Sequence, residues 1–130
     1  MSSKQSIDKS ELLQLQTKLV SDIKSVGKDY GTFRKITYSV PQNLDEVCFA
    51  DLSKQNEIIS SNFINFYPLI KDSLRQNRKN IFFIGESEFS SSYVENIQVN
   101  HPPYIYCFNG RAGKIEVGIE GFGGGNSLII

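Results

Sequence analysis

Two cysteines, one histidine and a net charge of zero are the scarcities of this chain, and each removes a class of function. Structural zinc asks for about four Cys or His ligands. Cys48, Cys107 and His101 are too few and hold no CxxC spacing. No metal site is therefore expected. Fourteen cations balance fourteen anions, so no phosphate-directed field and no nucleic-acid partner are expected. No apolar run approaches the roughly 18 residues of a membrane-spanning helix. The largely polar first eleven residues lack the apolar segment of a signal peptide.

What is present fits one folded domain. The chain has 130 residues, 39% hydrophobic and 22% charged, enough to bury a core. Residues 1–9 read as a disordered leader and 10–130 as a single α+β domain. In the first helix Leu12, Leu15, Leu19, Ile23 and Val26 recur at three- and four-residue steps, an apolar stripe that predicts packing on a sheet. Asp8 or Ser10-Glu11 offers its cap, and Gly27 a C-terminal stop.

Strands are expected over 35–40, 46–52 and 80–85, with a weaker one over 93–99 and a last one over 127–130. The stretch 46–52 is the most continuously apolar and reads as central. A second helix is expected from Pro68 to Gln76, because proline suits a first helical turn. Residues 53–61 and 86–92 read as loops, and His101-Pro102-Pro103 as extended. Tyr104–Phe108 and the alternating Ile115, Val117 and Ile119 flank Asn-Gly and Ala-Gly. That pattern predicts a hairpin at the centre of the fold. The whole is a mainly antiparallel sheet with the N-terminal helix and the second short helix packed on it.

The candidate chemistry is thin. Gly121–Gly125 lacks the third glycine of GxGxxG, since Asn126 stands there, and no Lys-Ser/Thr follows. The run reads as a hairpin turn, and no cofactor is expected. Ile81–Glu86 and Gly121-Phe122-Gly123 faintly resemble the two ribonucleoprotein motifs of RNA-recognition domains. Too little chain follows the second to complete that fold. A cysteine nucleophile with His101 as base would need an activated thiol, but both cysteines have apolar neighbours, which raise a thiol pKa. Glu116 and Glu120 lie on the polar side of an alternating strand, where solvated charges belong. Cys48 and Cys107 each precede a phenylalanine in an apolar strand. They suit either buried free thiols or a disulfide.

The order LQTKLVSDIKSVG, FRKITYSVPQNLDEVCFADL, IFFIG, YIYCF and a closing KIEVGIEGFGGG resembles the extracellular part of small archaeal proteins similar to type IV pilins. In that family a hydrophobic N-terminal helix anchors a compact β-rich domain. The resemblance implies a non-enzymatic surface or pilus-like module, outside the cell, acting through protein partners or self-association. It implies membrane attachment only through an N-terminal anchor that this sequence does not include. With an oxidising compartment implied, a Cys48–Cys107 disulfide is expected. It would close a loop of about 60 residues and contribute roughly 3–4 kcal/mol in the loop-entropy account. The alternative from another class is a cytosolic α+β ligand-binding or regulatory domain.

Overall fold

The structure, a computed structural model, describes residues 6–76 and 78–130. It is an α+β fold of three α-helices and eight strands among those residues. The chain opens with α1 (Lys9–Gly27). Asp8 caps it, its carboxylate accepting from the backbone N–H of Ser10 at 2.9 Å and of Glu11 at 3.2 Å, which satisfies orphan donors of the first turn. The leader expected over 1–9 therefore runs too far. Residues 1–5 lie outside the described residues, but Ile7 is already buried in the core.

Strands β1 (Phe33–Ser39), β2 (Leu44–Ala50), β3 (Ile81–Gly85), β4 (Glu88–Ser92), β5 (Ile97–Gln98), β6 (Ile105–Asn109), β7 (Lys114–Gly121) and β8 (Ser127–Ile129) form two sheets, not one. The first has the order β1-β7-β8-β5 and the second β4-β3-β2-β6. Every pairing is antiparallel except β5 with β8. β2 is indeed central in its sheet.

The expected central hairpin does not exist. β6 pairs with β2 and β7 pairs with β1 and β8. The Asn-Gly turn is real, since Gly113 N–H donates to the Gly110 carbonyl at 2.9 Å. It carries the chain across from one sheet to the other. The link from β1 to β2 crosses beside it, and Val40 N–H donates to the Gly113 carbonyl at 2.9 Å. Local alternation marks two strands and a turn, but it does not say whether the turn stays within one sheet.

The two sheets divide the apolar residues into two clusters. The larger one gathers α1, the inner face of the β1–β7–β8 sheet and one face of β2 and β3. Leu19, Ile23, Val47, Phe49, Phe83, Val117 and Ile119 are all fully buried there. The smaller lies on the opposite face of β2 and β3. Alternation along β2 sends Val47 and Phe49 to the first cluster and Cys48 and Ala50 to the second. The second cluster is covered by the chain between β2 and β3. That chain forms a short 3-10 turn (Leu52–Lys54), α2 (Gln55–Ser60), another 3-10 turn (Phe63–Phe66) and α3 (Pro68–Gln76). Its buried residues Ile58, Ile64, Ile70 and Leu74 seal the sheet.

Three local expectations change. Residues 53–61 are helical as far as Ser60 instead of loop-like, because Asp51 caps the turn and Ile58 gives α2 an inward anchor. Residues 88–92 form the edge strand β4, with Phe89 stacked on Phe82 at 6.1 Å. The segment from His101 turns instead of extending. Tyr104 N–H donates back to the His101 carbonyl at 2.8 Å, across a cis Pro102–Pro103 bond.

Gly27 and the glycine run meet at the end of α1. Gly27 ends the helix but is needed for closeness, since a Cβ there would lie 2.5 Å from Ser127 Oγ. The run makes the β7–β8 turn, with Gly123, Gly124 and Gly125 all at positive φ. Gly125 N–H donates to the Gly27 carbonyl at 3.1 Å, and Ser127 Oγ donates to the Ile23 carbonyl at 3.1 Å.

Candidate functional site

Cys48 and Cys107 form a disulfide. The repeated Cys-Phe pattern turns out to be the register of two strands. Val47, Cys48 and Phe49 pair with Phe108, Cys107 and Tyr106 in that order. Directly opposed residues of an antiparallel pair share a face, so the sulfurs meet. The Cα atoms are 3.9 Å apart, closer than the usual span of about 4.4–6.8 Å. The bond lies in the smaller cluster under α2 and α3, with Cys48 buried and Cys107 half-buried. One residue further along each strand, on the other face, Phe49 meets Phe108 edge-on at 5.6 Å. Both thiols are therefore joined to each other, and the cysteine-nucleophile reading has no free thiol to act with. His101 lies exposed in its turn, its ring 6.2 Å from that of Tyr106.

The helix stripe is placed just as concretely. Leu12, Leu15, Leu19, Ile23 and Val26 are all buried in the larger cluster. α1 packs on β7, β1 and β8. At its flank Gln16 Nε2 donates to Ser90 Oγ at 3.0 Å, and Lys9 pairs with Glu88. Those contacts tie the helix to the edge strand of the second sheet.

Two tyrosines hold carboxylates. Tyr38 donates its hydroxyl to Asp22 Oδ2 at 2.8 Å, joining β1 to α1. Burial, then the bond to Asp22 and its charge, push that hydroxyl pKa far above its ordinary 10.0. Tyr67 donates to Glu46 Oε2 at 3.0 Å. Burial and Glu46 push its hydroxyl up to about 12.

A concavity lies where β5 and the segment after it meet the start of the helical cover. It is a cleft of about 650 Å³, within the range of small-ligand sites. Asp51, Asn80, Ile97 and Val99 are its buried floor. Asp51, 5% exposed, accepts three hydrogen bonds. Ser53 N–H and Oγ reach its Oδ1 at 3.0 and 2.6 Å, and Val99 N–H reaches Oδ2 at 3.1 Å. Asn80 exchanges both amide groups with the backbone of Val94, at 2.6 and 3.0 Å. These bonds tie the floor to segments remote in sequence.

Lys54 and Arg78 line the walls. Lys54 Nζ sits 5.2 Å over the ring of Tyr104, a cation–π contact. Neither cation makes an ion pair among the described residues. Two of the three non-glycine residues at positive φ among the described residues also line the cleft, Asn96 at 56° and Tyr104 at 67°. Asparagine tolerates this region, but for tyrosine it is an outlier. The surrounding backbone holds both. The Tyr104 carbonyl accepts from Asp51 N–H at 3.0 Å, and the Asn96 carbonyl from Ser127 N–H at 3.1 Å.

Sequence reasoning did not find this cleft. Its residues come from five separate stretches, none of which forms a motif. The one local signal was the density of Asn and Gln between Tyr93 and Asn100.

Exposed apolar side chains lie elsewhere on the first sheet and on the turns beside it, in two neighbouring pairs within the chain's own contacts. Tyr30, Phe33, Ile130 and Phe122 are 83%, 52%, 51% and 36% exposed. Phe33 and Ile130 close over Gly118, where a Cβ would lie 3.4 and 3.3 Å from them. Tyr30 meets Phe122 edge-on at 6.4 Å. No group of three or more His, Cys, Asp or Glu that could hold a metal ion occurs among the described residues. No described helix is long and apolar enough to cross a membrane.

Comparison of the chain with protein-family models, with curated proteins and with solved structures found no match.

Proposed function

We propose that this chain is a non-enzymatic module of the cell exterior, resembling the anchored pilin-like surface domains of archaea, and that it acts through protein contacts. The Cys48–Cys107 disulfide carries the reading. A bond of this kind persists in an oxidising compartment and is kept reduced in most cytosols. The cytosolic regulatory alternative has to account for a bond buried under two helices.

The exposed apolar pairs of Tyr30 with Phe122 and Phe33 with Ile130 are the contact surface on this reading. Exposed apolar side chains of this size are candidates for interaction sites.

The test is protease shaving of intact source cells. Release of peptides from this chain without lysis supports the surface reading. Protection in intact cells, with cleavage only after lysis, contradicts it.

A further inference from the structure

We propose that the cleft between β5 and the helical cover is a binding site for an acidic saccharide, a sugar carrying a carboxylate. This goes beyond the surface-module reading and rests on the cleft alone.

Charge is the first argument. The lining contains two cations, Lys54 and Arg78, and one carboxylate, Asp51. Asp51 is buried and already accepts from Ser53 and Val99. Among the described residues, Lys54 is held over Tyr104 without an ionic partner and the exposed Arg78 has none. The walls therefore offer unpaired positive charge while the floor carries a negative one.

That split selects among anions. A phosphate can pair with the two cations but brings no array of sugar hydroxyls for Asp51 and the lining amides. A polyhydroxylated carboxylate can separate its two characters. Its carboxylate lies against Arg78 and Lys54, and its hydroxyls turn to the floor. A carboxylate has about four acceptor positions, and Asp51 Oδ2 is met by Val99 N–H alone. It can accept a sugar hydroxyl as well.

The remaining lining suits hydroxyl recognition. Asn96, Gln98 and Asn100 bring amides that donate and accept. Asn126 uses its Nδ2 on the Gly123 carbonyl at 3.1 Å, which leaves its oxygen to accept. Tyr93, 44% exposed, supplies an aromatic face at the rim for the apolar side of a sugar ring. The backbone is set before any ligand arrives, because hydrogen bonds fix Asn96 and Tyr104 at positive φ. Conformations of this sort cluster at ligand clamps. Preorganisation of this kind lowers the ordering cost of binding.

The experiment is an NMR titration of the ¹⁵N-labelled intact chain with sodium glucuronate, glucose and inorganic phosphate in parallel. Glucuronate is expected to give saturable shifts at the amides of Lys54, Asn96, Gln98 and Asn100. Glucose and phosphate should each bind at least about tenfold more weakly, the equivalent of about 1.4 kcal/mol. Arg78→Gln alters an exposed side chain, so the fold is retained, and it should weaken glucuronate about fivefold or more, as loss of a charged contact does. Lys54→Gln should weaken it similarly. No saturable shift with glucuronate would overturn the proposal. So would equal affinity for phosphate or glucose, or unchanged affinity in both variants.

Discussion

The carbonyl oxygen of Val26 lies 2.0 Å from the point where a Cβ on Gly121 would stand, and that of Asp29 lies 2.5 Å from it. The last turn of α1 therefore rests directly on the backbone of β7. The same glycine is gripped on both sides. Its N–H donates to the Thr32 carbonyl at 2.7 Å, and its carbonyl accepts from Gly31 N–H at 2.9 Å. The helix docks at the only depth that a glycine at this position permits.

Gly121→Ala should thus be among the most damaging single-methyl additions in the chain. Overpacking of a core costs about 1–3 kcal/mol and sometimes more. Here the obstacle is backbone, so a loss of about 3 kcal/mol or more is expected in urea unfolding. Gly113→Ala is the control. It has a positive φ but open space, and its cost should stay near about 1–2 kcal/mol.

The buried stripe of α1 makes a second prediction. Leu19 is fully buried against the first sheet. Leu19→Ala should destabilise the domain by about 2–5 kcal/mol, the range for a core leucine. A loss below about 0.5 kcal/mol, typical of surface positions, would mean the helix is not docked in solution.

The tyrosine–carboxylate pairs give the fold an alkaline limit. The folded pKa values of Tyr38 and Tyr67 are raised above 10.0, that of Tyr67 to about 12. The native state thus holds protons that the unfolded chain releases near pH 10. Their contribution is fully present below that pH and is lost as pH rises through the folded values. Melting temperature should hold up to about pH 10 and then fall progressively through about pH 12. Tyr38→Phe should flatten that fall, because it removes the ionisable hydroxyl from beside Asp22. An unchanged slope in Tyr38→Phe would show that the pair does not set the limit.

Much of this architecture is legible in the chain, for identifiable reasons. α1 and α3 declare themselves by period, cap and proline, all of which are local. β2 is legible as a central strand because both of its faces are covered, one by α1 and the first sheet, the other by α2 and α3. β4 is not legible, because Ser90, Ser91 and Ser92 are half-buried by tertiary contacts such as Gln16 to Ser90. α2 is obscured because six residues carry one inward anchor, Ile58. The two-sheet division is hidden for a deeper reason. Asn109-Gly110 encodes a turn, but whether β7 returns beside β6 depends on β1 competing for the same edge. The cleft is illegible because Lys54, Arg78, Asn96 and Asn126 become neighbours only after both sheets have formed.

The central claim is that this is an oxidised domain, stapled between β2 and β6 beneath its helical cover. The bond closes a separation of 59 residues, which in the loop-entropy account contributes about 4 kcal/mol. The direct measurement is intact-mass spectrometry of the protein isolated without reductant, denatured in the presence of an alkylating agent. The account predicts no alkylation, a mass two hydrogens below the reduced chain, and a single crosslinked peptide joining Cys48 to Cys107. Two alkylated cysteines would contradict it, and with it the assignment of this domain to the cell exterior.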